Sequence, residues 1–168
     1  MNVYIACAYP DIKIKDEFLE LLNKDREIAR RVKYGLLKFI DIGANLSYSK
    51  EYNEQYFGTL ANAENMAKAI AETNDIGIIF CLSGVGAANY VAMYSNIIIA
   101  FPEDDKQAKQ VRIENGANVF PLSSEYSYKY KIRTLKKLKS FILAELDPYN
   151  EYMVNSRNKL KSRFDRKR

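Results

Sequence analysis

Short apolar runs alternate along the chain with segments of helical spacing, and this alternation constrains the fold more than any other feature. The runs cover residues 3–7, 39–43, 76–81, 96–101 and 117–122. Each is apolar almost throughout rather than at every second position, as expected of a strand buried on both faces. Between them, residues 12–33 place Ile14, Phe18, Leu21 and Leu22 on one side with charges opposite. Residues 60–72 read as an Ala-rich helix through Met66, Ala67 and Ile70, and another helix begins near Ala87. Residues 103–115 read as a helix stopped by Gly116, since glycine readily takes the left-handed conformation that ends one. Residues 124–147 carry a long amphipathic helix with Ile132, Leu135, Leu138, Ile142 and Leu143. The polar stretch 44–57 reads as a loop.

A helix after each buried strand, with right-handed crossovers, gives an α/β fold. The expectation is a doubly wound, five-stranded parallel sheet in a three-layer α/β/α sandwich. It occupies 1–147 as one domain, and Pro148 separates it from a basic helical tail, 148–168. Ligands of such sheets bind beyond the carboxyl ends of the strands. Here those ends fall at 7–11, 43–44, 81–86, 102–104 and 123–124.

Charge and composition narrow the chemistry. The 26 Lys and Arg against 21 Asp and Glu leave a net +5. Residues 151–168 hold seven of the bases and two of the acids, so residues 1–150 are neutral at 19 against 19. The body is therefore not a general polyanion binder, and nucleic acid is not expected as a partner. With no histidine in the chain, Ser-His-Asp and Cys-His catalysis and His-liganded zinc are excluded. Acid–base work falls to Cys, Asp, Glu, Lys or Tyr. The two cysteines, Cys7 and Cys81, are too few for a disulfide framework or a Cys-rich zinc site. No apolar run is long enough to cross a bilayer, and the N-terminus lacks the pattern of a secretory signal. A cytoplasmic protein with reduced thiols and no membrane partner is expected.

The segment Cys81-Leu82-Ser83-Gly84-Val85-Gly86 carries the most chemistry. Glycines let the backbone approach a ligand, and the following helix offers free N–H groups and a positive dipole end. Such a loop suits a phosphate or a developing oxyanion. It is neither a P-loop nor a G-x-G-x-x-G motif. Cys81, at a strand end before a helix, is placed to lose its proton and act as a base. Cys7 has no Gly-rich neighbour and reads as a core residue.

The run 75–86, the later Arg112-Ile113-Glu114-Asn115-Gly116-Ala117-Asn118-Val119, Ile40-Asp41-Ile42-Gly43 and Met66-Ala67-Lys68-Ala69-Ile70 together resemble ribose 5-phosphate isomerase B and the galactose 6-phosphate isomerase subunits. The resemblance implies a flavodoxin-like or Rossmann-like sheet and a metal-free, cofactor-free aldose–ketose isomerisation of a phosphorylated sugar through an enediolate. By position it implies that Cys81 is the base and that Ser83 stabilises the enediolate with the loop amides. Gly84 and Gly86 would hold the anion, and Asn115 would contact sugar hydroxyls or the enediolate. It further implies a homodimer or homotetramer, or assembly with a related subunit, each site being completed by the neighbouring chain.

The chain departs from that family at several positions. The family's Asp-His-Ala-Gly loop is Ala8-Tyr9-Pro10-Asp11 here, the ring-opening histidine falls at Glu114, and a phosphate-binding arginine falls near Glu125. The aspartate–tyrosine pair of the second loop falls near Gly58 and Thr59. Each lost charged contact to phosphate costs about 1.5–3 kcal/mol unless replaced. Tyr9, Tyr56, Arg157 and Lys161 are the candidate replacements, and Glu114 is a candidate proton carrier. An active isomerase is thus expected first, and a non-catalytic subunit or small-ligand binder second.

Overall fold

The computed structural model describes residues 1–70 and 75–145. Four parallel strands, β1 (Asn2–Cys7), β2 (Lys38–Asp41), β3 (Ile76–Cys81) and β4 (Val119–Ser123), form one sheet in the order β2-β1-β3-β4. Between β1 and β2 lie α1 (Ile12–Lys24) and α2 (Arg26–Lys33); α3 (Lys50–Tyr56) and α4 (Thr59–Ala69) precede β3. Helices α5 (Val85–Val91) and α6 (Asp105–Asn115) lead to β4, followed by α7 (Ser124–Lys129) and α8 (Lys131–Leu143). The expected α/β architecture with helices on both faces is present.

The two faces are sorted by residue parity. Val3, Ile5 and Cys7 of β1, Ile76, Ile78 and Phe80 of β3, and Phe120 and Leu122 of β4 pack against Phe18, Leu22, Ile28, Leu138 and Phe141. The alternate residues Ala6, Ile79, Cys81 and Val119 pack against Met66, Ala67, Ala87 and Val91 of α4 and α5. A β-strand sends successive side chains to opposite faces, so Cys7 and Cys81 lie on different sides of the sheet. A buried Phe such as Phe80, 1% exposed, contributes about 2 kcal/mol.

The structure corrects the expected elements in four places. The run 96–101 is not a full fifth strand: it meets β4 only through a parallel bridge between Ile99 and Val119. Its ladder is interrupted by the buried Asn118 side chain, which accepts from the Ile98 amide (2.7 Å) and donates to the Asn96 carbonyl (2.7 Å). A side-chain amide so placed competes with backbone pairing. Residues 12–33 form two helices, because Asp25 caps α2, accepting from the amides of Glu27 (3.1 Å) and Ile28 (3.2 Å). The stretch 44–57 contains α3, started by Ser49, whose hydroxyl accepts from the Tyr52 amide at 3.2 Å. The long helix from 124 breaks at Tyr130, which leaves helical geometry at φ −119°, ψ 47°. The second part ends at Leu143 rather than 147; Pro148 and the basic tail lie outside the described residues.

Candidate active site

Strand β3 is buried at all six positions and delivers Cys81 to the carboxyl edge of the sheet. The chain then turns sharply at Gly84, whose φ of 78° is left-handed. A Cβ there would also lie 2.9 Å from the Ser123 nitrogen and 3.1 Å from the Leu122 carbonyl carbon. Glycine is therefore required both for conformation and for the close approach of β4. Ser123 fixes the loop from the other side by donating its hydroxyl to the Leu82 carbonyl at 2.9 Å.

The turn aims the Gly84 amide at sulfur. Its N–H lies 3.2 Å from Cys81 Sγ and 3.1 Å from the Cys81 carbonyl oxygen. The Ser83 hydroxyl accepts from the Val85 amide at 3.3 Å. The loop thus spends one amide on the sulfur and leaves Ser83 exposed at its rim. Cys81 itself keeps only 6% of its surface in contact with solvent.

Helix α4 begins beside α5. The Thr59 methyl lies 4.0 Å from where a Gly86 Cβ would stand. Neither helix has an acidic residue in its first turn, so the two positive helix ends are not neutralised from within their own helices. Asn62 ties the first turn of α4 to β1, donating to the carbonyls of Cys7 and Phe57, both at 2.8 Å.

Further polar residues, unanticipated from the sequence, stand at the same edge. Lys15 is wholly buried; it pairs with Asp41, lies 3.5 Å from Asp16 and donates to the Ala44 carbonyl at 2.8 Å. Asp11, in the turn Tyr9–Asp11 after β1, is 6% exposed. Burial pushes its carboxyl above the ordinary value, and the Ser124 hydroxyl draws it back part of the way. One signal was present in the sequence: Lys15 falls three residues after Ile12 and three before Phe18, inside the apolar stripe of α1. Asp11 and Ser124 gave no comparable sign.

Cys7 behaves as the core residue expected. Burial pushes its thiol up to about 12, against a smaller downward pull from Lys15. Its Sγ faces the Ala44 carbonyl at 3.8 Å.

The other candidates divide by edge. Half-buried Tyr9 stands at the carboxyl edge, as does exposed Glu125 at the start of α7. Tyr56 is half-exposed, 4.6 Å from the Tyr52 ring. Glu114 and Asn115 are exposed on the last turn of α6, which runs back to the start of β4. Gly77 pairs with Val119 and Cys81 with Ser123. Four strand residues span about 13 Å, so one chain does not bring Glu114 or Asn115 to Cys81. Arg157 and Lys161 lie outside the described residues.

The family model described as Ribose/Galactose Isomerase matches residues 3–149. Among curated sequences there is no significant match. Among solved structures, the chain is similar to the type B ribose 5-phosphate isomerase of Trypanosoma cruzi, with a TM-score of 0.70 and 17% identity over 96% of this chain and 97% of that one. The Leishmania infantum type B enzyme gives a TM-score of 0.70 at 18% identity, covering 99% and 98%. Ribose-5-phosphate isomerase B from Mycoplasma genitalium, solved with bound ribulose-5-phosphate, gives 0.58 at 19% identity, covering 98% and 92%.

Proposed function

The chain belongs to the ribose/galactose isomerase family, and from that premise we propose that it interconverts the aldose and ketose forms of a phosphorylated sugar with Cys81 as the base. In this reading the Cys81 thiolate takes the proton from the carbon next to the substrate carbonyl. The electron pair of the broken C–H bond forms the enediolate double bond, and the same proton returns to the neighbouring carbon. Nothing is oxidised or reduced overall. Ser83 and the amides at the start of α5 face the developing oxyanion, where preorganised donors act most strongly. Gly86 keeps that approach open. Glu114 moves the hydroxyl proton and Asn115 holds a sugar hydroxyl, both from a second copy of the chain. The phosphate lies toward Tyr9 and the basic residues near Arg157.

The observation that carries this reading is the Gly84 N–H directed at Cys81 Sγ across 3.2 Å, in a loop that only glycine permits. The test is turnover of ribose 5-phosphate and galactose 6-phosphate by the purified chain. Cys81→Ala should lower kcat by about two to four orders of magnitude, the range for removing a positioned base, while Cys7→Ala should stay near wild type. Full turnover by Cys81→Ala would refute the assignment.

A second reading, a non-catalytic partner subunit, is favoured by the 6% exposure of Cys81. It predicts no turnover by the chain alone and recovery only on mixing with an active relative.

A further inference from the structure

Residues 1–150 balance in total, but their charge is not spread evenly. A cleft of about 580 Å³ opens between the starts of α6 and α8, with Lys129, Lys131, Arg133 and Lys136 on one wall and Asp104 and Asp105 on the other. Cys81 does not line it. The two acids serve α6: Asp104 accepts from the Gln107 amide at 2.7 Å, and Asp105 sits in the first turn, where a carboxylate is favoured. Helix α8 is built the opposite way. Its first turn has no acidic residue and no side-chain cap, and it carries Lys131 and Arg133, the wrong sign for that end of a helix. Those cations do not serve the helix that bears them. Lys131 pairs with Glu17 of α1, and Arg133 donates to the Glu103 carbonyl at 3.0 Å; Lys129 and Lys136 form no ion pair among the described residues.

Aromatic rings are interleaved with these charges. The Tyr126 and Tyr130 rings are 4.5 Å apart. Lys129 Nζ stands 5.3 Å from the Tyr130 ring centre, and Lys131 Nζ stands 5.3 Å from that of Tyr128. Tyr130 lines the cleft and is 41% exposed. An acidic protein segment would use the cations and leave the rings idle. A duplex would hide its bases from them. A single strand uses both, phosphates along the cations and an unstacked base on a ring.

We infer that this cleft binds single-stranded nucleic acid, with Lys129 and Lys136 on the phosphates and Tyr130 as the stacking platform. It shares no residue with the Cys81 loop, so it stands or falls apart from the isomerase reading. The test is fluorescence anisotropy of a labelled oligouridine with the full chain over a range of salt. Two phosphate contacts give a log–log salt slope of about −1.4, at roughly 0.7 per contact for single strands. Lys129→Gln with Lys136→Gln should weaken binding at least tenfold and flatten the slope by about 1.4. Tyr130→Ala should weaken it about tenfold with the slope unchanged. These side chains are on the surface, and circular dichroism checks that the variants fold. Absence of binding overturns the inference. So does undiminished binding by the lysine variant, which would assign the strand to the basic residues of 151–168. Equal binding of a duplex or of polyglutamate overturns it as well.

Discussion

The two cysteines of this chain face opposite sides of one sheet, and their surroundings assign them different fates. The Cys7 thiol, pushed up to about 12 by burial, stays protonated in the native protein throughout the neutral range. Mass spectrometry after alkylation at pH 8 should find Cys7 unmodified until the protein is denatured. Its linkage has a definite sign: the proton is held more tightly in the folded state, so stability is retained below the ordinary thiol value of 9.0 and lost as pH rises toward about 12. Asp11 follows the same rule among the acids. Its carboxyl is raised by burial, so its contribution is present at low pH and is lost as pH rises through the folded value. Asp11→Asn should therefore raise the urea midpoint at pH 7, and the gain should shrink as the pH is lowered through the ordinary carboxylate range. Gly84→Ala should cost about 2 kcal/mol or more, combining the left-handed penalty with the 2.9 Å approach to Ser123; urea denaturation would measure it. Cys81 and its glycines were legible in the sequence because strand, sulfur and turn are contiguous. Asp11 was not, because its burial and its neighbour Ser124, more than a hundred residues away, are set by the tertiary fold.

Helices and strands show where local pattern ends. Helix α6 and β3 sit close to their expected places, since a left-handed Gly116 and an unbroken apolar run are local signals. The breaks at Asp25 and Tyr130 depend on packing. Asp25 is both a cap and the partner of Lys139 at 2.7 Å, which joins the α1–α2 junction to α8. The edge run 96–101 has the composition of a strand; what shortens it is Asn118, twenty residues from the Ile98 amide it binds. Asn118→Ala should cost about 1 kcal/mol or more by leaving the part-buried Ile98 amide and Asn96 carbonyl unpaired. Hydrogen exchange should show faster exchange at Ile98 than at β3 amides.

At the level of the whole molecule, the parallel architecture and the family were readable because alternation and a compact motif extend over most of the chain. The completeness of the site was not, since α6 carries Glu114 and Asn115 to the edge opposite Cys81. If two chains share each site, Cys81→Ala and Asn115→Ala proteins, each inactive, should recover about a quarter of wild-type activity when equal amounts are unfolded and refolded together. Half the random dimers then hold one intact site of two. No recovery would show that these residues do not act across a dimer. Among the described residues no helix is long and apolar enough to cross a membrane.

The strand order also carries a consequence for how the chain emerges during synthesis. Residues 98–100 lean on β4, which a ribosome delivers only later, and the turn after β3 is secured by Ser123 at the far end of that same strand. A nascent polypeptide halted before residue 119 has its sulfur and both glycines in hand with no wall to set them against. The loop that bears the chemistry is therefore among the last parts of the described fold to take its final shape.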